Sequence, residues 1–61
     1  MAKQDLTNAR FAFLDKNTGP DYVLRSADGG NFTEFVVSVG GDVRTYRVYG
    51  DNPDTFKVYE K

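Results

Sequence analysis

The chain contains no histidine and no cysteine among its 61 residues. Without cysteine it can form neither a disulfide bond nor a thiolate metal site. Without histidine it lacks the usual base of a catalytic triad, and a perturbed carboxylate or lysine would have to replace it. The two serines, Ser26 and Ser38, lie outside any glycine-flanked nucleophile motif. We therefore predict that the protein is not an enzyme.

Signatures of metal and cofactor sites are also missing from the sequence. Residues 15–19 place oxygen-bearing side chains at alternate positions before a glycine, as calcium loops do, but Ser26 stands where such a loop needs its bidentate glutamate. No dinucleotide-binding glycine pattern or phosphate-binding loop is present. We predict neither a metal nor a cofactor.

Length and charge limit the architecture and the location. A chain of 61 residues forms one domain, which we assign to residues 1–61, with residues 1–5 as a disordered or loosely held N-terminus. The net charge of −1 and the pI of about 5.1 argue weakly against nucleic-acid binding. No apolar run approaches the ~20 residues of a membrane span, and the polar start lacks the apolar core of a secretory signal. We expect a soluble cytoplasmic protein without membrane contact, acting in its own cell or in a host cell.

Short alternating segments separated by turn residues predict a mainly β fold. Residues 22–26, 32–39, 43–49 and 55–59 are typical of strands. The loops between the first three contain Asp28-Gly29-Gly30 and Gly40-Gly41, which suit tight hairpins. Pro53 interrupts the chain before the last strand because it has no backbone N–H for a ladder. These segments predict a small antiparallel meander.

Residues 6–16 fit either a helix or a further strand. Leu6, Ala9 and Phe13 fall on one helical stripe, and Gly19-Pro20 is typical of a helix stop. Phe11 lies off that stripe, whereas in a strand Phe11 and Phe13 would share one face. The two interpretations predict a five-stranded, barrel-like meander or an open four-stranded sheet covered by one N-terminal helix, an α+β arrangement.

Aromatic and basic residues alternate along the last two strands. Such a pattern is typical of solvated strand faces, of protein interfaces, and of surfaces that hold single-stranded nucleic acid. Nearby acidic residues weaken the positive electrostatic field of this pattern, so nucleic-acid binding is the least favoured of the three interpretations. We predict that the partner-binding surface comprises Arg44, Tyr46, Arg47, Tyr49, Lys57 and Tyr59.

Residues 6–12, followed by Asp15, Thr18-Gly19 and Asp28-Gly29, resemble the opening helix and hairpin of the small head-completion proteins of tailed phages. The resemblance covers the first half of the chain. That family continues with a second helix, whereas residues 40–49 here have the pattern of a strand. The resemblance implies a phage origin and assigns no site residue.

Together these features predict a small non-enzymatic binding protein that docks on another protein through a strand surface or a sheet edge. A phage-encoded inhibitor or adaptor acting on a host protein fits this description. The alternatives are a β domain that binds single-stranded nucleic acid and a structural or assembly component of a virion. A homodimer or other homo-oligomer is compatible with a chain of this size, because association would supplement a small core.

Overall fold

The computed structural model describes residues 3–61, and their side chains from Asp5 onward. Helix α1 spans Lys3–Thr18 and is followed by strands β1 (Tyr22–Asp28), β2 (Phe32–Val39) and β3 (Asp42–Tyr49). A 3-10 turn at Pro53–Thr55 precedes the short strand β4 (Lys57–Glu60). The strands form one antiparallel sheet in the order β1-β2-β3-β4. This confirms the mainly β meander, in its form with four strands, an open sheet and one N-terminal helix.

The first two residues, which belong to the predicted loose segment 1–5, lie outside the described residues. The described part of that segment begins α1. Among the described residues no helix is long and apolar enough to cross a membrane. Residues 42–49 form β3, so the second helix of the phage family has no counterpart at this place in the chain.

The helix ends where its sequence provides a left-handed position. Gly19 has a φ of 59°, and its N–H donates to the carbonyl of Asp15 at 2.9 Å, which satisfies one of the last free carbonyls of the helix. The Thr18 hydroxyl and the Asn17 amide donate to the carbonyls of Leu14 and Phe13. The predicted helix stop at Gly19-Pro20 is therefore confirmed.

Helix α1 buries a broader stripe than the pattern Leu6, Ala9 and Phe13 predicted. Its two most buried side chains are Arg10 and Leu14, which follow Leu6 at intervals of four. Phe11 lies on the flank of this stripe and also packs on the sheet. Its ring contacts that of Phe35 in β2, with centroids 5.7 Å apart. The helix thus covers one face of the sheet.

The hydrophobic core lies between this helix and the sheet. It consists of Leu14, Phe35, Val37, Val48 and Phe56. The Phe56 ring, which follows the 3-10 turn, meets that of Phe13 edge to face at 5.5 Å. Thr55 therefore belongs to the turn that delivers Phe56 to the core, and the last strand begins two residues later than the start predicted at 55.

The β2–β3 hairpin sets the register of the central strands. Gly40 and Gly41 form its two-residue loop, and both have positive φ, 58° and 89°, as a type I′ turn requires. The register then pairs Phe35 with Tyr46 and Glu34 with Arg47. Since directly opposite residues share a face, this register determines which side chains meet on each side of the sheet.

The two faces of the sheet differ in what covers them. The helix face, beneath α1, carries Thr33, Phe35 and Val37 of β2 with Tyr46 and Val48 of β3. The opposite side, here called the open face, has no helix or loop packed across it within residues 3–61. It carries Phe32, Glu34, Val36, Arg47, Tyr49, Lys57 and Tyr59.

Candidate functional site

The six residues predicted to bind a partner lie on two different faces. Arg47 pairs with Tyr59 across β3 and β4, and Tyr49 pairs with Lys57, which brings four of the six together on the open face. Arg44 and Tyr46 occupy the alternate positions of β3, opposite Val37 and Phe35, and so belong to the helix face. A single flat surface of a partner can therefore contact at most the four residues on the open face.

Arg44 and Tyr46 have local partners on their own face. A guanidinium N–H of Arg44 donates to Glu60 in β4 at 3.1 Å, and the charge of Glu60 raises the pKa of Arg44. Tyr46 is half-buried and packs against the hydrophobic core. Both contacts attach β3 to its neighbours, which gives these two residues a structural role.

On the open face a row of three rings runs from β2 to β4. The centroids of Phe32 and Tyr49 are 5.0 Å apart, and those of Tyr49 and Tyr59 are 5.6 Å apart. Tyr59 at the end of the row is 56% exposed. Together with Arg47 and Lys57 these rings are here called the aromatic patch. Their order follows from the strand register, because Phe32 stands opposite Tyr49 and Tyr59 stands opposite Arg47.

Arg47 holds a central position in the aromatic patch through two contacts. Its Nε donates to Glu34 Oε1 at 2.9 Å, and its guanidinium carbon lies 5.0 Å from the centroid of the Phe32 ring. The hydrogen bond from Arg47 holds the pKa of Glu34 below its ordinary value of 4.5. Lys61 adds a longer ion pair to the same Glu34 oxygen at 3.8 Å. Glu34 thus neutralises part of the positive charge at this surface.

This arrangement predicts a pH-dependent contribution of Glu34 to stability. Because its pKa is depressed in the folded protein, the contribution is present above the unfolded pKa and is lost as pH falls through the folded pKa. The urea midpoint of wild type should exceed that of Glu34→Gln at neutral pH, and the difference should disappear as the pH is lowered through the folded pKa of Glu34. Urea titrations of both proteins across this range measure it. A constant difference at all pH values would contradict the assignment.

A shallow depression of about 340 Å³ lies beside the aromatic patch. It is lined by Arg47, Tyr49, Tyr59, Glu60 and Lys61. Tyrosine rings and the methylene stems of long charged side chains present apolar surface while their polar ends stay in water. The depression therefore suits one apolar side chain of a partner, surrounded by charged groups.

Phe32 also belongs to this site, although the alternation along the last two strands did not predict it. Phe32 is distant along the chain from Tyr49 and Tyr59, and only the pairing of β2 with β3 brings it beside them. Its ring also lies over Gly29, where an added methyl group would overlap the ring. The local signal was a glycine preceding the strand that starts with Phe32, but a hairpin turn explains such a glycine equally well.

Arg10 is a second important residue that the sequence pattern did not predict, and it supports the end of the sheet that carries the aromatic patch. The Arg10 side chain is 2% exposed. Its Nε and Nη2 donate to the carbonyl of Gly50 at 3.0 and 2.6 Å, its Nη2 also to the carbonyl of Asn31 at 3.2 Å, and its Nη1 to the Thr33 hydroxyl at 3.1 Å.

The acceptors of Arg10 adjoin two rings of the patch. Asn31 precedes Phe32, and Gly50 follows Tyr49. A single side chain from α1 therefore connects the ends of β2 and β3 at which these rings stand side by side. The available signal was an arginine four residues from both Leu6 and Leu14, in the middle of an otherwise apolar stripe.

Comparisons of the chain with protein-family models, with curated proteins and with solved structures found no match.

Proposed function

We propose that this protein is a non-enzymatic docking module that binds another protein through the aromatic patch of its open face. The observation that carries the proposal is the continuous row Phe32, Tyr49 and Tyr59, with Arg47 against it, on a face that no other described element covers. Tyrosine and arginine are enriched in binding hot spots, because they bury a large area while their polar ends remain satisfied.

The patch is also organised before any partner arrives. Arg47 is held between Glu34 and the Phe32 ring, and the Tyr49 ring is held between those of Phe32 and Tyr59. Side chains that are already ordered lose less conformational entropy on binding. This supports a rigid contact surface at the centre of the patch, with exposed Tyr59 as its anchor.

Single-stranded nucleic acid is the competing partner, because the same face combines cations with rings. Base stacking needs free ring faces, however. One face of Phe32 is occupied by Arg47, and Tyr49 and Tyr59 meet edge to face, with an interplanar angle of 80°. These contacts favour a protein partner.

The first test replaces Tyr59 with alanine. Loss of this exposed aromatic anchor should weaken partner binding by at least about 30-fold, the effect of a hot-spot residue. Affinity capture from a lysate of the source organism, with wild type as bait, provides the partner. Titration of the purified partner with wild type and variant then gives the two dissociation constants.

The matched control for this test is Tyr22→Ala. Tyr22 is 59% exposed, close to the value for Tyr59, but it lies on β1 at the opposite edge of the sheet. Its substitution should leave the affinity unchanged, and both variants should keep the wild-type circular dichroism spectrum. Equal affinities of wild type and the Tyr59 variant would reject the aromatic patch as the contact surface.

A further inference from the structure

The positive charge of the protein is concentrated on its open face. Four basic side chains lie there: Arg25 opposite Val36, Arg47 opposite Glu34, Lys57 opposite Tyr49, and Lys61 against Glu34. Glu34 is the one acidic side chain that this face carries among residues 5–61. The chain as a whole has a net charge of −1. The face that carries the aromatic patch is therefore opposite in sign to the rest of the molecule.

Several of these basic groups are not neutralised from within the protein. Among the side chains of residues 5–61, neither Arg25 nor Lys57 forms an ion pair. Lys61 is 60% exposed and reaches only the Glu34 oxygen that Arg47 already occupies, at the longer distance of 3.8 Å. The uncompensated charge thus lies at both edges of the patch, with Arg25 on β1 and with Lys57 and Lys61 at β4.

The depression beside Tyr59 lies between these charges and the rings. Lys61 and Arg47 line it together with Tyr49, Tyr59 and Glu60. A segment that places an apolar side chain in the depression brings its neighbouring residues within reach of Lys57 and Lys61. Carboxylates at those neighbouring positions would meet Lys57, which forms no ion pair among the side chains of residues 5–61, and Lys61, which shares the Glu34 oxygen with Arg47. This favours carboxylates over amides or lysines at these positions.

We propose that the partner of the open face presents an acidic segment, with an apolar side chain in the depression beside Tyr59 and flanking carboxylates on Lys57 and Lys61. This inference rests on the proposed docking function and specifies the chemistry of the partner. The opposite charges steer the encounter and set its specificity, while the rings supply the buried contact.

The test uses three probes of equal length on the full chain. They are a short peptide of glutamates with one central phenylalanine, the same peptide with glutamine in place of each glutamate, and an oligothymidylate. Affinities and perturbed amide resonances are measured by NMR titration at low salt and at about 0.3 M salt, where exposed charges are largely screened. The glutamate peptide should bind most tightly, perturb β4 and Lys61, and weaken with salt.

Two charge reversals locate the effect. Lys57→Glu should weaken binding of the glutamate peptide by about tenfold, since it turns an attraction into a repulsion at the patch. Lys16→Glu changes the net charge of the chain equally, but lies in the last turn of α1, and should leave the affinity within about twofold. Equal losses in the two variants would show unspecific attraction and overturn the inference.

The remaining outcomes separate this inference from the proposed function. If the glutamine peptide binds as tightly as the glutamate peptide, or if the glutamate peptide does not bind, the acidic segment is rejected. Docking through Tyr59 would still stand on the comparison of its alanine variant with that of Tyr22. If the oligothymidylate binds more tightly than either peptide and perturbs β4, both the acidic segment and the protein partner are rejected in favour of nucleic acid.

Discussion

Replacement of Arg10 by methionine is expected to lower the free energy of unfolding by about 3 to 5 kcal/mol. Methionine fills much of the space of the arginine stem but donates no hydrogen bond. The Gly50 carbonyl would lose both of its Arg10 donors, and the Thr33 hydroxyl and the Asn31 carbonyl would lose one each. A domain of this length has only roughly 3 to 9 kcal/mol of stability, so the variant should be largely unfolded or close to it.

Urea unfolding followed by circular dichroism measures this loss, and amide NMR spectra show whether a folded fraction remains. The matched control is Arg44→Met, which removes an arginine whose side chain is 41% exposed and paired with Glu60. Exposed ion pairs contribute little to stability, so this control should keep a urea midpoint close to that of wild type. If the Arg10 and Arg44 variants unfolded at the same urea concentration, Arg10 could not be a principal connection between helix and sheet.

The second large effect is expected for Leu14→Ala, at about 2 to 5 kcal/mol of unfolding free energy. Leu14 is fully buried and belongs to the core cluster formed by helix and sheet together. Its truncation would remove buried methyl groups and leave a cavity in the core between helix and sheet. The one helix of the described chain would then cover the sheet less firmly.

Leu24→Ala is the corresponding control, because Leu24 is 50% exposed on edge strand β1. Surface truncations of this kind usually change the free energy of unfolding by about 0.5 kcal/mol or less. Thermal and urea denaturation of the two variants under the same conditions give the comparison. A similar loss in both would mean that Leu14 does not pack as a core residue.

The strands could be predicted because their signals are local. Alternation of side chains, Gly40-Gly41 and Pro53 each act within a few residues, and the structure follows them closely. The N-terminal segment could not be decided in this way. Arg10 is a charged residue in the middle of the buried stripe, and Phe11 contacts Phe35 from the flank of that stripe. A count of apolar positions at helical spacing therefore underestimates how much of the helix surface is buried.

The candidate site was predictable only in part, for a related reason. Alternation along β3 separates Arg44 and Tyr46 from Arg47 and Tyr49, and this separation can be read from the chain. Which of the two sets lies beneath the helix depends on tertiary packing. Phe32 belongs to the aromatic patch because of the register between β2 and β3, and no local sequence pattern predicts that register. The backbone carbonyls that accept hydrogen bonds from Arg10 also cannot be predicted from the sequence, because every residue type has a backbone carbonyl.

The contact between Gly29 and the ring of Phe32 has a consequence for how this protein can vary over time. A side chain larger than hydrogen at position 29 is incompatible with a ring in its present place at position 32. Positions 29 and 32 therefore constrain each other during evolution. A variant that gains a methyl group at position 29 must have a smaller or differently placed side chain at position 32. Since that ring begins the aromatic row, a substitution at a turn residue outside the row would displace the ring and change the surface presented to a partner.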